Sequence, residues 1–141
     1  MSEKLKLKAI SADDLVVISA ALQDAIVKVG ELHYDRVAHR FTLMARRFCH
    51  ECETPKRILT GLGVDDVLEV KARGIRRSDP EAYLVLLALE FEADAEPPGG
   101  YVRLIFAGDG EMRLRVEALE VHLLDVSEPR KTTYVPKHMA D

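Results

Sequence analysis

The chain of 141 residues has two cysteines, a net charge of only −4 and no long apolar run. Each scarcity excludes something. Two cysteines cannot build the multi-bridge framework of a small secreted domain, and Met1, Ser2, Glu3 and Lys4 do not lead into a signal-peptide core. Reduced thiols and a cytoplasmic location are therefore the expectation. The longest uninterrupted apolar run, residues 84–89, falls far short of the roughly 18 residues that span a bilayer and suits a buried strand instead, so no membrane is expected as a partner. A charge balance this close to neutral lacks the strongly basic surface on which nucleic-acid affinity depends. Phosphate-cradling glycine loops are missing too. Gly61 and Gly63, like Gly108 and Gly110, have neither the spacing nor the following helix, and read as turn or bulge glycines.

What is present is the make-up of a folded domain: 48% apolar and 31% charged residues. The length suits one domain over residues 1–141, with its core at about residues 4–126 and a loosely held, proline-bearing tail over 127–141.

Leu5 and Leu7 alternate with Lys6 and Lys8. Ser11, Asp13 and Asp14 then precede apolar residues at helical spacing, Leu15, Ile18, Leu22, Ala25 and Ile26. Ser11 can cap the helix by accepting from the N–H near Asp14, while the two aspartates complement the helix dipole. After residue 26 the period falls to two or to short apolar runs, the pattern of strands. The spacing predicts them at 27–34, 40–48, 57–62, 67–73, 83–92, 101–107 and 111–118. Val102, Leu104 and Phe106 share one face, and Met112, Leu114 and Val116 answer them across the turn at Gly108, Asp109 and Gly110. Beyond Ala118 the alternation slips by one residue. Either a bulge intervenes or a closing helix forms over 119–126, and the spacing of Val116, Leu119, Leu123 and Val126 favours the helix.

The expected fold class is therefore α+β. An N-terminal helix leads about seven strands in an antiparallel meander, bent into a roll, with a C-terminal helix to close it; this order has a fold-level likeness to the pleckstrin-homology superfold.

Cys49, His50 and Cys52 are the one cluster with the vocabulary of metal or thiol chemistry. His33, His39 or His122 arriving from elsewhere would complete a zinc site, or the cysteines could serve a thiol enzyme. One cysteine pair is half a zinc signature, so two reduced cysteines at the mouth of a strand remain the simpler reading. Arg36, Arg40, Arg46, Arg47, Lys56 and Arg57 give the middle of the chain a local positive excess. Asp109, Glu111, Glu117, Glu120, Asp125 and Glu128 make its end acidic. These are solvated strand faces, or else the poles of a molecule suited to an anionic partner or to self-association. Asp13, Asp14 and Asp24 have no accompanying nucleophile, and Asp65 with Asp66 reads as a turn lacking the ligand spacing of a calcium loop.

No cofactor and no catalytic set follow from these residues. The expected activity is non-catalytic: binding of a protein partner, a second copy or an acidic ligand, with Arg36, Arg40, Arg46, Arg47 and Arg57 as candidate contacts. The alternatives are a metal-dependent or thiol enzyme at Cys49 and Cys52, and weak nucleic-acid binding through residues 36–57.

Several blocks together resemble an uncharacterised bacterial family, the domain of unknown function 2948, found mainly in alphaproteobacteria. They are residues 14–20, 22–25 and 29–32, Arg40 with Phe41, Arg47 with Phe48, and residues 106–110 with Arg113 and Leu114. The resemblance covers the chain to about Val126 and implies no catalytic or binding residues. Cys49 and Cys52 lie outside the resembling blocks.

Overall fold

The structure is a computed structural model that describes residues 4–132. The expected cap is formed: the Ser11 hydroxyl accepts from the Asp14 N–H at 3.2 Å and opens helix α1 (Ala12–Leu22). Leu15, Ile18 and Leu22 are buried beneath it. Ala25 and Ile26, expected on the same helical face, are instead in a strand. Asp24 takes a left-handed φ of 68° and donates its N–H to the Leu86 carbonyl, which ends the helical path and starts pairing.

Among the described residues eleven strand segments accompany this helix, more than the seven expected. They are β1 (Lys6–Ala9), β2 (Ala25–Lys28), β3 (His33–Asp35), β4 (Arg40–Phe48), β5 (Lys56–Val64), β6 (Val67–Arg73), β7 (Tyr83–Ala93), β8 (Gly100–Phe106), β9 (Glu111–Val116), β10 (Val121–Asp125) and β11 (Arg130–Lys131), of which β1, β4 and β7 pack against the helix. Part of the excess is interruption. A 3-10 turn (Val29–Glu31) divides β2 from β3, and both pair with β4; β10 and β11 both pair with β5. All pairings are antiparallel, in the order β1-β10-β5-β4-β2-β7-β8-β9-β6.

The expected meander holds for β3–β4–β5 and for β7–β8–β9, and fails at three connections: β6 pairs with β9 instead of β5 or β7, and two short corners cross between distant strands. Residues 65 and 66 join β5 to β6, yet these strands lie far apart in the sheet order. Asp66, with φ 57°, turns the chain out of one half of the sheet and into the other. Residues 117–120 carry it back from β9 to β10. That second corner accounts for the lost alternation after Ala118: residues 121–125 are a strand between β1 and β5, not a closing helix. The pleckstrin-like reading loses the helix on which it rested.

Two connections this short between distant strands require the sheet to bend over on itself, with its apolar face inward. Val102, Leu104, Phe106, Met112, Leu114 and Val116 are all buried there, as their alternation predicts. They join α1, Phe41, Leu43 and Leu62 in one cluster. The start of the expected loose tail is fixed as well. Ser127 accepts from the Leu59 N–H at 3.0 Å, and β11 pairs with the start of β5; residues 133–141 lie outside the described part. No described helix is long and apolar enough to cross a membrane.

Candidate functional site: a cleft in the seam of the sheet

The bent sheet brings β3 towards the free edge of β6, and this seam is stitched at both ends. At one end the Tyr34 hydroxyl donates to the Val67 carbonyl at 2.8 Å, and the Val67 N–H donates to the His39 carbonyl at 2.8 Å. At the other, the 3-10 turn before β3 is held to the loop between β6 and β7, where Gly30 and Val29 donate to the carbonyls of Pro80 and Ala82 at 2.8 and 2.9 Å and so continue the β2–β7 pairing. Gly30 is required here, because a Cβ would come 2.9 Å from the Pro80 carbonyl oxygen. Between the stitches the strands part and leave a cavity of about 400 Å³.

Its composition follows from the pleat. Phe41, Val70, Ala72 and Met112 are inward-facing strand residues that back the cavity, with Leu32 and Tyr34 beside them, while polar groups make up the larger part of the surface it exposes. Arg36, from the turn after β3, and Arg77, from the loop after β6, stand at its rim with His33 and Ile75. Both arginines are exposed, and neither has an ion-pair partner among the described residues. Among the described residues the lining contains no carboxylate, thiol or aliphatic hydroxyl. Such a chamber can hold an apolar body and neutralise an anionic group. The carboxylate that interacts with His33 is Asp35, on the same strand, whose Oδ1 accepts from the Val37 and Ala38 N–H groups, both at 3.0 Å.

The expected basic region is taken apart by the fold. Arg47 is only 1% exposed: its Nε and Nη2 donate to Asp125 at 2.9 and 2.7 Å, and Nη1 and Nη2 donate to Glu51 at 3.2 and 2.9 Å. Burial opposes the charge on both Arg47 and Asp125. The hydrogen bonds outweigh it, raising the guanidinium pKa and holding the Asp125 carboxyl below its usual range. Arg57 is also buried and donates to the carbonyls of Asp24 and Arg46 at 3.2 and 2.9 Å. Arg40 pairs with Asp65 at 2.7 Å and Arg46 with Glu31 at 3.5 Å. Of the five arginines singled out in the sequence, Arg36 alone reaches the cleft. Arg77 escaped sequence reasoning because nothing in its local pattern shows that the loop after β6 folds back towards β3.

Cys49 and Cys52 are joined in a disulfide, which corrects the expectation of free thiols. The cause is local. The Cys49 N–H donates to the Lys56 carbonyl and the Cys52 N–H to the Cys49 carbonyl, a tight turn that places the two Cα atoms 5.5 Å apart, within bridging range. No histidine joins them in a metal-capable group among the described residues. His122 lies instead beside Asp65 and Glu120, His39 is at the Val67 stitch, and His33 is at the cleft rim.

Fold and cleft together define an antiparallel sheet protein with a ligand-sized opening in its seam. The chain belongs to the family described as Protein of unknown function (DUF2948), whose model matches residues 5–138. No curated protein and no solved structure matches it.

Proposed function

We propose that the chain is a non-catalytic binding domain that holds a small anionic ligand with an apolar body in the seam cleft. The observation that carries this reading is the pair Arg36 and Arg77, without ion-pair partners among the described residues, at the rim of a cavity backed by apolar strand residues. The volume of about 400 Å³ lies at the small end of the range for small-molecule sites. The ligand's apolar part lies against Phe41, Val70 and Met112, and its anion meets the two guanidinium groups. Each charge-assisted hydrogen bond of this kind contributes ~1.5–3 kcal/mol, so losing one arginine weakens binding about ten- to hundred-fold.

Calorimetric titration with octanoate, octyl phosphate and octylammonium tests the reading. At least one of the two anions binds, and the cation of equal chain length binds at least ten-fold more weakly. Equal affinity for cation and anions, or no binding by either anion, contradicts it.

A further inference from the structure

The two corners where the chain crosses between the halves of the sheet meet at a second cluster, remote in chemistry from the cleft. Asp65 comes from the corner between β5 and β6; Glu120 and His122 come from the corner between β9 and β10 and the strand that follows. Backbone bonds fix the corners against each other, Asp65 N–H to the Glu120 carbonyl at 2.9 Å and Glu117 N–H to the Asp66 carbonyl at 3.0 Å. The side chains converge on one point. His122 Nε2 lies 3.2 Å from Asp65 Oδ2 and 3.1 Å from Glu120 Oε2, and all three donor atoms lie within 4.8 Å of one another.

We propose that Asp65, Glu120 and His122 bind a divalent first-row transition ion, which clamps the two corners together. A metal about 2.1 Å from each donor sets neighbouring donors roughly 3.0–3.4 Å apart, from octahedral to tetrahedral geometry, and the separations of His122 Nε2 from the two carboxylate oxygens, 3.2 and 3.1 Å, fall in that interval. One imidazole and two carboxylates are a mixed nitrogen and oxygen set that suits zinc or manganese better than calcium. Arg40 supplies the outer contact that such sites use to orient a ligand. Its Nε donates to Asp65 Oδ1 at 2.7 Å and leaves Oδ2 directed at the imidazole. Asp65 is the most enclosed of the three, whereas Glu120 and His122 are partly open to solvent, so water completes the coordination.

The test uses chelator-stripped protein without reductant, which keeps Cys49 and Cys52 in their disulfide. Zinc is titrated calorimetrically into the wild type, His122→Ala and Glu120→Gln, while the His122 ring signals are followed by NMR in the wild type. One equivalent binds the wild type and displaces the His122 signals. Each substitution weakens binding at least ten-fold, and the melting temperature of the wild type alone climbs with free zinc. Both substituted side chains are more than a third exposed, so the metal-free variants melt as the wild type does. Failure to bind zinc up to about 1 mM, the weak end of biological cation sites, overturns the proposal. Zinc bound equally well by both variants, or His122 signals that do not move, overturns it as well.

Discussion

Asp125→Asn perturbs the most enclosed ion pair among the described residues. Arg47 and Asp125 both have side chains only 1% exposed, and the pair is bidentate. Asp125 Oδ2 accepts a second time, from the Leu5 N–H at 2.9 Å, and so ties β1 to the sheet. An amide in its place keeps the volume but has one acceptor where three donors converge, so at least one buried donor then faces an NH₂ group. Removing one partner of a buried pair costs ~3–5 kcal/mol. Glu51 still faces the guanidinium, with its side chain 44% exposed, and its partial compensation puts the loss at the lower end, about 3 kcal/mol. For a chain of this length that lowers Tm by roughly 10 °C.

Urea unfolding at pH 7, followed by far-ultraviolet circular dichroism, measures the loss. A cost below about 1 kcal/mol, the range of surface pairs, refutes the reasoning. The double variant Arg47→Met, Asp125→Leu separates charge from shape: it removes both ions, and regains most of the loss if an uncompensated guanidinium caused it. The pair also sets a pH dependence. Asp125 and Glu51 both titrate below their ordinary ranges in the folded protein. Their contribution is complete above the unfolded carboxylate values, near pH 4, and is lost as pH falls through the lower folded values. The wild type therefore loses stability in acid below about pH 4, and Asp125→Asn loses less over the same interval.

Gly100→Ala would place a Cβ 2.5 Å from the Glu92 carbonyl oxygen and 2.8 Å from the Phe91 ring, so it destabilises by about 1–3 kcal/mol in the same urea assay. Gly63→Ala is its control: a Cβ there meets nothing within 4 Å, and the variant is as stable as the wild type or up to ~1 kcal/mol more so. Ser11→Ala removes the cap on α1 and costs about 1 kcal/mol, read as a Tm fall of a few degrees.

These residues also show where local pattern suffices. Ser11 with Asp14, and the hairpin on either side of Gly108, were legible because capping and alternation are decided within a few residues of chain. The stop after Leu22 was not, since Ala25 and Ile26 continue the helical spacing and only the pairing of Asp24 and β2 with β7 overrides it. The corners at Asp66 and after Val116 escaped for a related reason. Short connections favour pairing of neighbours in sequence, whereas burial of the inner face favours crossing to the other half of the sheet.

The site was less legible than the fold. A run of arginines carries no sign of which will be buried, and Arg47 and Arg57 became internal through carboxylates and carbonyls distant in sequence. Arg36 and Arg77 come to one rim only because the sheet bends. The acidic end of the chain contributes through Asp125, inside the structure, as well as through its exposed residues.

The cleft itself is tested most directly by NMR on the nitrogen-labelled chain, with octanoate and octyl phosphate as probes of the wild type and of the double variant Arg36→Gln, Arg77→Gln. At least one probe shifts the amide signals of Tyr34, Val70, Ala72, Ile75 and Met112 in the wild type, and the double variant needs at least ten-fold more of it for the same shifts. Shifts confined to other parts of the sheet, or cleft shifts undiminished in the double variant, contradict the assignment of the seam as an anion-binding site.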